Sequence, residues 1–354
     1  MNIKNKALWT CIAIALAALT IWAVFSMSGN MSPAQLLDQL KTAKPGWLFL
    51  AVLSMLGIIF FEGEAILAII GPLGYPRSHW RGFIYGSADI YFSAITPSAS
   101  GGQPASAFFM IQDGIPGAIV TAALILNLVM YTLVILSIGL VCLISRPAFF
   151  LRFQIISRLL IVFGTLALSG LAVLFFLLLF KQRVLFGISR RFIRYIHKKN
   201  WLKHPEKPLK KLDKAQKEYA DCVMIMRGET WMLIKAFIMN LLQRLSQFSV
   251  IICMYMATGG SLKMIPDLFA TQCYIILGSN CIPVPGGMGV TDFLMLDGYG
   301  QLFDRDYSFQ LEILGRSMSF YCSLLVSGIT VVIGYWMLRR RKKAQKKKQS
   351  AGAM

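Results

Sequence analysis

Acidic residues, histidine and paired cysteine are all scarce in this chain, and each scarcity removes a class of function. Asp and Glu number 16 against 36 Lys and Arg, and charged residues make up only 15% of the 354 positions. That is too little charge to coat a soluble globule of this length. The 3 histidines, at 79, 197 and 204, fall in no metal-ligand spacing, and no nucleophile stands beside an evident base. The sequence therefore points to no metal and no cofactor. Of the 7 cysteines, Cys222 lies in a polar stretch and the rest in apolar ones, without the pairing of a zinc site or a secreted disulfide framework. They read as small membrane hydrophobes.

What the chain has is apolar length. Hydrophobic residues make up 56% and aromatics 12%, with a mean hydropathy of +0.61. Apolar runs long enough to cross a hydrocarbon core as helices fall at Ala7 to Met27, Gly46 to Ile70, Pro116 to Ile144, Ile155 to Phe180, Trp231 to Ala257 and Phe309 to Leu338. The fold class is all-α, a polytopic transmembrane helical bundle. The first run follows Lys4 and Lys6, exceeds a signal-peptide core and lacks a convincing cleavage site, so it reads as a retained span. Ser32 to Lys41 reads as a short amphipathic helix on the outer surface.

The net charge of +20 would suit nucleic acid, but the basic residues cluster in the gaps and at the ends, as positive-inside topology requires. The loop from Lys181 to Glu229 holds 14 of the 36 and the stretch from Arg339 to Lys348 holds 8. Both termini are thereby expected in the cytoplasm, with anionic lipid headgroups, not nucleic acid, as partners of loop and tail. Residues 1–338 form the membrane domain, with halves at 46–144 and 231–338 around the basic loop 181–229, and 339–354 form a basic tail.

Two apolar stretches are interrupted. One, Gly82 to Ile115, breaks at "ITPSASGGQPASAFFM"; the other, Leu262 to Phe303, breaks at "PVPGGMGVTD". The orientation of the flanking spans makes each a re-entrant or broken-helix hairpin, entering from opposite faces. Two such sets running in opposite directions form an inverted-topology repeat, in which substrate binds at the discontinuous helices. Unpaired backbone at membrane depth is tolerated only where protein or a water-filled cavity satisfies it. The breaks should therefore line a cavity. Gly101 and Gly102 are expected to supply unusual dihedrals, Pro104 to open the resuming helix, and Ser98, Ser100 and Gln103 to offer hydrogen bonds. The free N–H groups of that helix can face an anion such as a lipid phosphate. At the second break Pro283 and Pro285 end the incoming half-helix, Gly286, Gly287 and Gly289 make the turn, and Asp292 opens the outgoing one.

Polar residues inside spans complete the candidate site. Asn240, Gln243, Arg244 and Gln247 share one helix face, and Glu312, Arg316, Ser319, Ser323 and Ser327 another. Arg244 and Arg316 are candidates to pair a phosphate or a carboxylate such as Asp292. Glu62, Glu64 and Asp89 could meet a cationic headgroup or a proton, although Glu62 and Glu64 equally read as interfacial. Glu312 with Arg316 also reads as a simple i,i+4 pair, and Asn127 with Tyr131 as ordinary interhelical bonding.

At "TPSASGGQPASAFFM" and "PVPGGMGVTDFLM", with Arg316 about two dozen residues after the second, the chain resembles the lysylphosphatidylglycerol synthase transmembrane family, the flippase half of the bacterial multiple peptide resistance factor. Gly101, Gly102, Pro285, Gly286, Gly287, Gly289 and Arg316 carry the resemblance. It departs at Ala105 and Ser106, where many members carry arginine, and at Asp292, where many carry glutamate. The resemblance implies a bacterial plasma-membrane protein that moves an anionic or aminoacylated phospholipid to the outer leaflet and contributes to resistance to cationic antimicrobial peptides. A separate lipid synthase and a second copy of the chain are candidate partners. The family name also suggests phosphatidylglycerol lysyltransferase activity, which resides in a soluble C-terminal domain that a short tail after Leu338 leaves no room for. A membrane adaptor that binds lipid or a partner through its basic loop is the third reading.

Overall fold

The computed structural model describes residues 43–96, 99–180, 187, 190–191, 229–280, 287 and 289–351. The spans and helix expected at Ala7 to Met27 and Ser32 to Lys41, and nearly all of the basic loop, lie outside the described residues.

The described chain is helical, without a strand among those residues. Its helices are α1 Pro45–Ile70, α2 His79–Ile95, α3 Gly102–Gln112, α4 Gly117–Ser145, α5 Ile155–Phe180, α6 Thr230–Ala257, α7 Ile265–Ser279, α8 Val290–Gly300, α9 Arg305–Arg316 and α10 Ser323–Ala351. A π-helical turn, Ser317–Cys322, joins α9 to α10. Among the described residues five segments are long and apolar enough to cross a membrane: α1, α4, α5 through Leu174, α6, and Arg305–Arg340. Proline places several starts, since its missing N–H costs nothing in a first turn: Pro45 in α1 and Pro266 in α7. Asp304 caps α9 by accepting from the Tyr307 N–H at 2.8 Å. The last helix does not stop near Leu338; it runs to Ala351, because the basic segment that follows is itself rich in good helix formers.

Two sets of elements repeat one order: long helix, half-helix, break, half-helix, long helix. α1, α2, α3 and α4 correspond to α6, α7, α8 and α9–α10. The packing is reciprocal. α1 lies antiparallel on its counterpart α6, with the Lys44 N–H donating to the Ala257 carbonyl at 3.0 Å at one end and Gln243 reaching Glu62 further along. α2 lies against α10, Ile84 facing Gly334 and Tyr91 facing Gly328, and α7 lies against α4, Ala270 facing Cys142 and Asn280 facing Tyr131. Each broken hairpin thus leans on the closing span of the other half.

Lipid tails are as apolar as leucine, so close backbone approach has to supply the helix association. Gly63, Gly82 and Gly86 provide it where α1 crosses α2: a Cβ at Gly63 would collide with the Gly82 carbonyl, and one at Gly86 would lie 2.7 Å from Gly63 N. Two apolar clusters fill the interior. One holds Ala51 to Ile59, Ile135, Cys142 and Phe248 to Met256; the other holds Ile66 to Ile70, Val120 to Met130, Met232 and Ala236. On α1 and α6 the buried polar residues Glu62, Asn240, Gln243 and Arg244 fall at the seam between these clusters, and Asn127 of α4 lies within the second.

Candidate functional site

Glu62 stands at that seam on α1, 6% exposed. Its two oxygens accept from different helices: Oε1 from Asn127 Nδ2 of α4 at 2.9 Å, and Oε2 from Gln243 Nε2 of α6 at 2.6 Å. Asn127 in turn accepts from Asn240 Nδ2 at 2.9 Å. Gln243 presents its Oε1 to Arg244, which donates from Nε at 3.2 Å and Nη2 at 2.9 Å. Arg244 Nη1 then donates to Gln247 at 2.6 Å, and its guanidinium lies 4.5 Å from the centre of the Tyr131 ring. Tyr131 donates to Asn280, the last described residue before the second break, at 2.9 Å. These bonds link three helices to one another and to a break, and they leave Asn240 Oδ1 buried without a hydrogen-bond partner, a cost to the network.

Gln247 also lines a cavity of about 60 Å³, together with Phe248, Ile251, Gln272, Ile275, Ser279, Thr291, Arg316 and Ser319. The cavity lies among α6, α7, α8 and the π turn. Arg316 ends α9 at its edge and pairs through Nε with Asp292 Oδ1 at 2.7 Å, while its guanidinium lies 5.0 Å from the Phe320 ring centre. The other Asp292 oxygen accepts from the Gly289 N–H at 2.7 Å and so caps α8. Glu312 interacts electrostatically with both Asp292 and Arg316, and the pairing goes across to α8 instead of closing as a simple i,i+4 pair. The π turn begins one residue after Arg316, and such turns are frequent at functional sites.

Four expected site residues, Arg244, Gln247, Asp292 and Arg316, are thus gathered along one polar path at the second break. Gly287 and Gly289 adopt positive φ, 65° and 78°, as a tight turn demands. Pro285 and Gly286 lie outside the described residues, as does Ser98.

The first break is built differently from expectation. Gly101 and Gly102 do not take left-handed dihedrals; Gly101 has φ −83° and Gly102 starts α3, while the positive φ belongs to Ala99 at 52°. Glycine is required there by contact. A Cβ at Gly102 would collide with the Asp89 carboxylate and Ser93 Oγ, and one at Gly101 would lie 2.6 Å from Thr96 Cγ2. The start of α3 consequently faces the chain's own Asp89, not an open anion site, and the Gly101 N–H donates to Thr96 Oγ1 at 2.8 Å. Ser100 is exposed and Gln103 half-buried at this turn, away from the cavity lining.

Glu62 and Glu64 part company. Glu64 meets His79 at 2.6 Å, whereas Glu62 sits deep in the seam with Asp89 near enough to interact electrostatically. At the far end of the first hairpin, Arg81 pairs with Asp113 at 2.8 Å, both 6% exposed, and Tyr85 donates to the same carboxylate at 2.6 Å, clamping α2 to α3. Arg146 pairs with Asp267 where α4 meets α7. Sequence reasoning missed Gln272 and Asn280, single amides in apolar runs with no periodic partner to mark them. Among the described residues no group of His, Cys, Asp and Glu is placed to hold a metal ion.

The ordered breaks, the arginine after the second and the helical order around them agree with one comparison. The family described as "Lysylphosphatidylglycerol synthase TM region" matches residues 10–327. The chain belongs to that family. Membership covers nearly the whole sequence and, with the apolar helices, makes this a multi-pass membrane protein with a lipid-related role. No curated protein and no solved structure matches the chain.

Proposed function

We propose that this family member is a lipid flippase that carries a phospholipid between the leaflets of a bacterial plasma membrane, with the cavity at the second break receiving the headgroup. The observation that supports the reading best is the polar path itself. Amides, a carboxylate and two guanidinium groups run from Glu62 through Gln243, Arg244 and Gln247 to the cavity edged by Arg316. Such groups are costly in a membrane interior and are retained where a polar substrate passes. A cavity of about 60 Å³ holds one or two waters, so the headgroup enters only as the helices part.

Arg316 and Arg244 suit the phosphate, and Glu62 with Asp89 suit an amine, which together fit a lysylphosphatidylglycerol-like lipid. Moving that lipid outward adds positive charge to the outer leaflet and repels cationic peptides. A separate synthase supplies the lipid in this reading, the basic loop and tail hold anionic headgroups, and both termini face the cytoplasm. The seam groups are spent on one another and on the cavity, an arrangement that favours transport over aminoacyl transfer or a passive adaptor.

The test uses purified protein in liposomes carrying fluorescent lysylphosphatidylglycerol in one leaflet. Exchange above the protein-free rate, with no aminoacyl lipid formed from phosphatidylglycerol and lysyl-tRNA, is the expected result. Aminoacyl transfer would move the reading to synthesis, and neither activity would move it to the adaptor.

A further inference from the structure

The two halves share an order of elements but not a state. The starts in the first half, Pro45, His79, Gly102 and Gly117, precede their counterparts Thr230, Ile265, Val290 and Arg305 by a nearly constant interval. Carried back by the interval of their own helix, the cavity walls Gln247, Phe248 and Ile251 of α6 fall on Glu62, Gly63 and Ile66 of α1. The opposite walls Gln272, Ile275 and Ser279 of α7 fall on Gly86, Asp89 and Ser93 of α2. At those positions the helices are shut together: Ile66 is fully buried in one cluster with Ile84 and Tyr85 of α2, and a Cβ on Gly86 would lie 2.7 Å from both Gly63 N and Ile59 O. One interface is open and its counterpart closed.

We propose that the α1–α2 interface is the closed form of the α6–α7 cavity, and that the protein works by exchanging which of the two is open. The packing supplies the coupling. α2 leans on α10 and α7 leans on α4, so each hairpin is held by the closing span of the opposite half, and moving one hairpin changes the support of the other. Packed interfaces of this kind have two discrete arrangements, and inverted repeats interconvert by rocking one unit against the other. The glycine contact at Gly63, Gly82 and Gly86 holds the first interface by close approach, and the contact of Glu64 with His79 at 2.6 Å, at the exposed start of α2, is the polar link that parts with it.

Opening there uncovers Glu62, Asp89 and Ser93. The counterpart cavity is therefore acidic where the visible one ends on Arg316. A headgroup bearing both a phosphate and an ammonium would meet its complement of one sign in each state. This rests on the transport reading for its purpose, but the motion itself is tested without lipid.

The experiment uses protein with the seven native cysteines replaced and Ile66→Cys as reporter. Leu67→Cys with Gly82→Cys faces a disulfide across α1–α2, since a Cβ at Gly82 would lie 2.7 Å from Leu67 Cδ1. Ile251→Cys with Gln272→Cys puts one thiol on each wall of the cavity, α6 and α7, for a disulfide that forms only as those walls come together. Thiol labelling at 66, made with the disulfides formed before the reagent is added, should rise several-fold when α6–α7 is locked and vanish when α1–α2 is locked, each variant being compared with its reduced form. Labelling at 66 that ignores both locks overturns the proposal. Should a locked variant fail to fold, spin labels at the exposed positions Trp80 and Ile234 read the same motion in otherwise unaltered protein. Two distance populations support exchange, and a single population that chemical conditions and lipid do not shift overturns it. If labelling responds to the locks while liposomes show no lipid exchange, the motion stands and the flippase reading fails.

Discussion

Arg316 reaches back across the second break to Asp292, Nε to Oδ1 at 2.7 Å, while the other oxygen of the same carboxylate accepts the Gly289 N–H at 2.7 Å. One side chain therefore both starts α8 and fixes the cation at the cavity edge. Asp292→Asn keeps an acceptor for the cap and removes the counter-charge. The expected loss of stability is about 1–3 kcal/mol, the cost of leaving a largely buried charged partner unmatched. Thermal unfolding in detergent measures it, and Asp292→Ala should fall further because the cap goes too.

Arginine at 316 is expected to matter for its shape as well as its charge. Arg316→Ala should remove most exchange of an anionic lipid, and Arg316→Lys should restore only part, since an ammonium cannot hold Asp292 and a phosphate with a planar fork or stack on Phe320. Initial exchange rates in liposomes check the order.

The glycines at the breaks separate by mechanism. Gly102→Ala must displace Asp89 or the backbone beside it, an overpacking cost of about 1–3 kcal/mol. Gly289→Ala meets nothing within 4 Å but forces a side chain to φ 78°, at about 1–2 kcal/mol. Gly117→Ala, with open space and a helical backbone, should be neutral or slightly stabilising. Comparing the three melting temperatures tests whether contact or dihedral strain dominates at each site.

Glu62→Gln puts an amide where both oxygens now accept, so one N–H₂ must face Asn127 or Gln243 as a donor against a donor. It is expected to destabilise by about 1–3 kcal/mol, and Glu62→Ala by more, with the void added. A cycle with Gln243→Leu should show strong non-additivity, because both act through one hydrogen-bonded network.

The spans were legible because hydropathy and punctuation coincide: α1 and α4 begin at Pro45 and Gly117, one residue from the expected Gly46 and Pro116. The breaks were legible for the same reason, since proline and glycine clusters cannot continue a membrane helix. Arg244 and Arg316 stood out as charges in apolar runs. The reason for Gly102 was not legible, because the atom that excludes a side chain belongs to Asp89, in another helix. Nor was the partner of Glu62, which depends on how α1, α4 and α6 cross. The π turn after Arg316 left no local signal, as its sequence, Ser317–Cys322, is an ordinary helical one.

The central claim is that lipid passes by way of the cavity at the second break. Ser279 lines it, and Leu140 of α4 lies 58% exposed on the outside of the bundle. Ser279→Trp fills the cavity, and Leu140→Trp adds the same bulk where nothing passes. With both proteins reconstituted at equal amounts, leaflet exchange of labelled lysylphosphatidylglycerol should be lost in the first and kept in the second. Exchange by the Ser279→Trp protein at the parental rate would contradict the account.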